Sequence, residues 1–325
     1  MSFFESQYQA PKWIPGGHLQ TILPAELFPK APVCYRREIW DTPDGDIVAV
    51  DWSVPEPPDP SAPIMVHIHG LEGSSQSHYA RALMARCASE GVRGLVIHYR
   101  GCGGVTNNKL RAYFAADAEE LDWEFAKLKK LFPEAPIYTM GVSLGANNLL
   151  YWAGTREESA AQVVSALVAV CSPLDLVASS HVISHGLSKI YDLNFIETMK
   201  RKALDKVRRF PGVIDEQKLK EVKCLKDFDE VFTSVIHGYK DAIDYWTKCS
   251  SLPQLKGIRL PTLLLNALND PIVGQEHLPK ETDVSRNVTL EYPPEGGHCG
   301  FPRKLNEGSL GFLPTRTFEF CFTGR

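Results

Sequence analysis

The chain has 325 residues, enough to bury a large core, and length alone leaves open one α/β domain with an insertion or two domains. Hydrophobic residues make up 44% and charged residues 23%, an ordinary globular balance that argues against long disordered stretches. The formal net charge of −4 lacks the basic footprint that a nucleic-acid partner leaves.

The opening residues carry no basic stretch followed by an apolar run, and no segment reaches the roughly 20 apolar residues of a membrane helix. A soluble, cytoplasmic protein with no integral membrane segment is the expectation. Cys34, Cys87, Cys102, Cys171, Cys224, Cys249, Cys299 and Cys321 form no CxxC pair, and several lie in apolar runs. Reduced, mostly buried thiols are therefore expected rather than a disulfide framework.

In chain order, residues 47–52 follow Pro43-Asp44-Gly45-Asp46 and read as the second arm of a hairpin. Residues 54–63 hold five prolines in ten and predict an exposed loop. Ile64–Ile68 is an apolar strand ending at His69-Gly70. His78–Glu90 has helical spacing and stops at Gly91. A strand at 94–99, a helix at 114–132 and a strand at 136–140 follow. The helix at 144–154 and the strand at 166–171 complete the alternation, which predicts βαβ units and a mostly parallel sheet with helices on both faces.

From 175 to 250 the pattern turns wholly helical. Ile196, Met199, Ala203, Val207 and Phe210 share one face, and Phe228, Val231, Phe232, Val235, Tyr239, Ile243 and Trp246 another. This predicts a helical cap inserted into a core made of residues 1–174 and 251–325. Strand signals return at 262–267 and 287–292, and residues 312–322 read as a last helix with Pro314 in its first turn.

Gly141-Val142-Ser143-Leu144-Gly145 is a G-x-S-x-G motif between an apolar strand and a helix. A serine on such a turn lifts its hydroxyl above the sheet, and the flanking glycines relieve crowding. The Leu144 amide then stands at a helix N-terminus, suited to an oxyanion. A serine hydroxyl needs a base within hydrogen-bond reach. His298, in the glycine-rich stretch 295–300, is the candidate. His67 alternates with its strand and reads as structural. His181 and His185 stand four apart but lack the HExxH glutamate of a metal site. Asp270, in Asn269-Asp270-Pro271 after a strand, is the candidate acid, in the order Ser, Asp, His; Asp175 is its rival. A second oxyanion donor is expected from the Leu71 amide in His69-Gly70-Leu71-Glu72-Gly73. Gly101-Cys102-Gly103-Gly104 lacks a phosphate-loop spacing, so no cofactor is expected, and no metal.

Taken together, HGLEG, YRGCGG, GVSLG, NDP and GGHCGF resemble the YheT-like branch (the AB hydrolase 4 family) of the α/β-hydrolases, and Gly17-His18-Leu19-Gln20-Thr21 is similar to its N-terminal signature. The resemblance spans about residues 10–322. It implies the α/β-hydrolase fold, a triad at Ser143, Asp270 and His298, and carboxylic ester hydrolysis. Eukaryotic relatives carry a membrane anchor and act on lipids, and the lack of an anchor here points away from lipid substrates. The reading is a cofactor-free serine esterase whose partner is a small ester with an apolar acyl group. A thioesterase or amidase would use the same triad, and a binding protein on a retired scaffold is the rival from another class. The basic residues Lys200, Arg201, Lys202, Lys206, Arg208 and Arg209 are expected to form a solvated helix face.

Overall fold

The computed structural model describes residues 3–303 and 311–324. The first helix is α1 (Gly17–Glu26), followed by the hairpin of β1 (Cys34–Asp41) and β2 (Ile47–Val54), whose turn has Gly45 at φ 77. Alternation follows: β3 (Ile64–Ile68), α2 (His78–Glu90), β4 (Arg93–Ile97), α3 (Ala118–Leu131), β5 (Ile137–Val142), α4 (Leu144–Arg156), α5 (Glu158–Val163) and β6 (Ala166–Val170). Six helices then intervene: α6 (Leu176–Ile183), α7 (Lys189–Arg209), α8 (Glu216–Glu221), α9 (Leu225–Phe228), α10 (Ser234–His237) and α11 (Ala242–Cys249). The chain returns to the sheet as β7 (Thr262–Leu265) and β8 (Val288–Glu291), and α12 (Phe312–Phe318) packs near its end.

The eight strands form one sheet in the order β1-β2-β4-β3-β5-β6-β7-β8. β2 runs antiparallel to both neighbours, and the other pairs are parallel. The pleat of β3 shows how apolar runs make a three-layer core. Ile64, Val66 and Ile68 face Phe125 of α3 and Leu149 of α4, while Met65 faces Leu83 of α2 and Leu313 of α12. Both faces are covered by helices, so the strand is almost wholly apolar, with His67 the one polar side chain in β3.

Several boundaries differ from the sequence reading. The helix expected at 114–132 starts at Ala118, because Asp117 accepts from the Glu120 N–H and caps it there. The strand expected at 94–99 ends at Ile97. The last helix is α-helical only to Phe318 and widens into a π-type turn over Glu319–Thr323. The second apolar face of the insertion is not one helix: a π-type turn (Asp229–Thr233) and Gly238 at φ 75 divide it into α9, α10 and α11. α1 had no periodic signal, since it holds Pro24 and leaves Leu19 and Ile22 exposed.

Candidate active site

Ser143 sits at the sharp turn between β5 and α4 with φ 54 and ψ −119, a backbone conformation that a side chain seldom adopts. Its N–H donates to the Val170 carbonyl at 2.8 Å, and its carbonyl accepts from Ala146 and Asn147 at 2.9 and 3.0 Å, so the strained residue is held from both sides. Gly145 permits this, because a Cβ there would collide with the Ile68 and His69 carbonyls. At Gly70 a Cβ would stand 3.2 Å from that of Ser143, so the loop after β3 lies directly against the serine.

His298 Nε2 lies 2.9 Å from Ser143 Oγ, and His298 Nδ1 lies 2.8 Å from Asp270 Oδ2. A carboxylate only accepts, so Nδ1 carries the proton and Nε2 is left to accept from the serine hydroxyl. The other Asp270 oxygen accepts from the Ile272 and Val273 N–H groups at 2.8 and 3.2 Å, which fixes the carboxylate plane. Asp270 and His298 are both buried.

The rival acid does something else. Asp175 caps α6, accepting from the Ala178 N–H at 3.0 Å. His67 is wholly buried, 2.9 Å from the Met140 carbonyl, and burial pushes its imidazole down to about 3, so it stays neutral. His181 and His185 are exposed; the ring of His185 hydrogen-bonds the His181 carbonyl at 2.6 Å rather than sharing a ligand with it. All eight cysteines are free thiols. Cys171, His298 and Cys299 have ligand-type atoms within 4.8 Å of one another. Burial raises both thiols, and Cys171 Sγ already accepts from the Cys299 N–H at 3.2 Å, so packing around the histidine accounts for this group.

A cavity of about 310 Å³ opens on Ser143 and Leu144. Its walls come from Leu71 on one side and from Leu176, Phe195, Met199, Phe228, Phe232 and Trp246 of the helices between β6 and β7 on the other. Leu71 packs against the apolar cluster around Ile196, Met199 and Phe232, and Leu144 against that around Tyr245 and Trp246. As the first residue of α4, Leu144 presents an N–H without a helical acceptor. Leu71 occupies a turn closed by the Gly73 N–H on the Gly70 carbonyl at 3.0 Å, with Glu72 at φ 56.

The basic residues of α7 divide: Arg201 and Arg208 are exposed, as expected of a solvated face, whereas Lys202, Lys206 and Arg209 reach the neighbouring loops. Lys202 Nζ lies 2.9 Å from Glu72, which also accepts from the Tyr113 hydroxyl at 2.7 Å. Lys206, buried, donates to Asn107 Oδ1 at 2.6 Å and to the Lys109 carbonyl at 2.7 Å; burial lowers it to about 8. Arg209 donates to the Asn107 carbonyl at 2.9 Å. These side chains anchor α7 to the loops around Glu72 and Asn107, because the apolar rows of α7 turn that edge inward.

Two contacts had no counterpart in the motif reading. Gln20 and Thr21 of α1 reach the loops of Asp270 and His298: Gln20 accepts from the Gly296 N–H at 2.9 Å, and Thr21 Oγ1 from the His298 N–H at 2.8 Å. Only the resemblance to an N-terminal signature had marked them.

Comparison with known proteins agrees with this architecture. The family model described as alpha/beta hydrolase fold matches residues 63–304. The chain is 36% identical over 290 residues to the protein named "Putative esterase YheT" of Escherichia coli (strain K12), covering 87% of this chain and 84% of that one. It is 29% identical to phospholipase ABHD3 of Homo sapiens, over 90% of this chain and 73% of that one. Among solved structures, the esterase Pf2001 of Pyrococcus furiosus superposes with a TM-score of 0.57 at 18% identity, over 89% of this chain and 90% of that one. No helix among the described residues is long and apolar enough to cross a membrane. With its mostly parallel eight-stranded sheet, matched family model and YheT-like sequence, the chain belongs to the α/β-hydrolase fold family, in its YheT-like branch.

Proposed function

We propose that the chain is a serine hydrolase of carboxylic esters with Ser143 as nucleophile, His298 as general base and Asp270 as the orienting acid. The observation that carries this is the continuous contact Ser143 Oγ–His298 Nε2–His298 Nδ1–Asp270 Oδ2, at 2.9 and 2.8 Å, beside an apolar cavity. His298 takes the hydroxyl proton as Ser143 attacks the ester carbonyl, and Asp270 stabilises the imidazolium. The Leu144 and Leu71 amides hold the oxyanion of the tetrahedral intermediate; one such donor is worth roughly 10²–10³ in rate. His298 then gives its proton to the departing alcohol, and water, deprotonated in turn by His298, clears the acyl-enzyme.

The substrate class follows from the cavity and the relatives. Phe195, Met199, Phe228 and Phe232 favour an apolar acyl group, and a similar protein is named a phospholipase, so lipid esters belong among the candidates. The helices from α6 to α11 act as the cap over the bound acyl chain. A thioester or amide would meet the same residues.

Hydrolysis of p-nitrophenyl esters by the wild type and Ser143→Ala tests the reading. Loss of a triad serine costs on the order of 10⁶ in kcat, so the folded variant falls to background. Retention of more than a few per cent of turnover would remove Ser143 from the mechanism.

A further inference from the structure

α1 touches neither Ser143 nor any reacting atom, yet it is bonded to both loops that carry the other two members of the relay. Gln20 is wholly buried. Its carboxamide oxygen accepts from Asn269 Nδ2 at 2.8 Å and from the Gly296 N–H at 2.9 Å. Its nitrogen donates to the Ile14 carbonyl at 2.9 Å and to Glu295 Oε1 at 3.1 Å. All four hydrogen-bonding capacities of the amide are therefore used. Asn269 precedes Asp270, and Gly296 stands two residues before His298. Asn269 Oδ1 closes the same bridge by accepting from the Gly297 N–H at 2.9 Å. Thr21 Oγ1 completes it, accepting from the His298 N–H at 2.8 Å while donating to the Gly17 carbonyl at 2.6 Å.

The contact needs close backbone approach from both sides. A Cβ on Gly17 would collide with the Asn269 carbonyl, and one on Gly300 with the Gln20 carbonyl. Asp270 and His298 lie on separate loops after the paired strands β7 and β8, whose ladder continues to the Leu268 N–H on the Pro293 carbonyl at 2.9 Å and stops short of both residues. Beyond that point the Gln20 amide binds both loops.

We propose that Gln20 and Thr21 are positioning residues that hold the Asp270 loop and the His298 loop in register, so that the rate of Ser143 acylation depends on α1. This rests on the reading of Ser143, Asp270 and His298 as the relay. Gln20→Met keeps the volume but leaves the Gly296 N–H and the Asn269 amide without their acceptor in a buried site. Thr21→Val does the same to the His298 N–H. A misplacement of about 1 Å from a change outside the chemistry costs on the order of 10²-fold.

The test is steady-state ester hydrolysis together with the rate of covalent labelling by a fluorophosphonate, in wild type, Gln20→Met, Thr21→Val, Thr21→Ser, Ser143→Ala and the core variant Ile64→Val. Gln20→Met and Thr21→Val are expected to lower kcat and the labelling rate together by about 10- to 100-fold with KM within about twofold. Thr21→Ser, which keeps the hydroxyl, stays near wild type, and so does Ile64→Val despite its lower Tm. The inference is overturned if folded Gln20→Met and Thr21→Val keep wild-type kcat, if the loss appears in KM alone, if Thr21→Ser falls as far as Thr21→Val, or if Ile64→Val loses as much. Absence of labelling in the wild type would instead remove the underlying reading, so the two failures are distinct.

Discussion

Two aspartates compete for the acid role, and their surroundings separate them. Asp270 gives one oxygen to His298 Nδ1 and the other to two backbone N–H groups, whereas Asp175 spends its carboxylate on the first turn of α6. In Asp270→Asn the amide can offer a donor to Nδ1, which favours the tautomer that cannot take the serine proton; about 10⁴ in kcat is the expected loss. Asp175→Asn keeps a good capping oxygen and leaves both activity and stability close to wild type. Parallel assays of the two variants decide, and exchanged results would hand the role to Asp175. The serine, aspartate and histidine were legible because each stands in a local pattern: a strand-to-helix turn, a loop after a strand, a glycine-rich return. Gln20 was marked only through the resemblance of its segment to a family signature; its contacts were not legible, since its partners lie 249 and 276 positions away.

At the scale of elements, the sheet strands were readable from apolar runs, and the insertion only in outline. Its apolar periodicity fixed that helices would cover something, while π-type geometry at Asp229–Thr233 and the left-handed Gly238 set where they break. Asp229, in that turn, accepts from Thr233 Oγ1 at 2.6 Å and from Trp246 Nε1 at 2.8 Å. Burial, opposed by these bonds and aided by Asp192, pushes its carboxyl up to about 6. A folded value above the unfolded one means that the native state binds the extra proton. The insertion therefore gains stability as pH falls from about 6 toward 4, by roughly 3 kcal/mol at most. Thermal unfolding of wild type and Asp229→Asn at pH 4.5 and 7.5 checks the sign: the variant should compare more favourably at pH 7.5, and the reverse ordering would refute it. The same helices line the cavity, and Phe232 is one of its buried walls. Phe232→Ala should shift kcat/KM toward longer acyl chains in a p-nitrophenyl ester series, since one methylene is worth roughly 1–3 kcal/mol in an apolar pocket. An unaltered chain-length profile in the folded variant would take Phe232 out of the acyl site.

For the whole molecule, the fold explains why distant residues meet. Parallel strands β3, β5, β6 and β7 end on the same edge, which brings the loops of Leu71, Ser143 and Asp270 to one rim. The turn after β8 returns His298 over that rim, α1 clasps it from outside, and Lys202 ties α7 to Glu72. At the centre of this arrangement we propose a single activated serine, Ser143. Intact-mass and peptide analysis after fluorophosphonate treatment measures it directly. One adduct per chain on the peptide containing Ser143, lost in Ser143→Ala and slowed in Asp270→Asn, is the predicted result; a folded wild type that takes no adduct, or takes it on another serine, would contradict it.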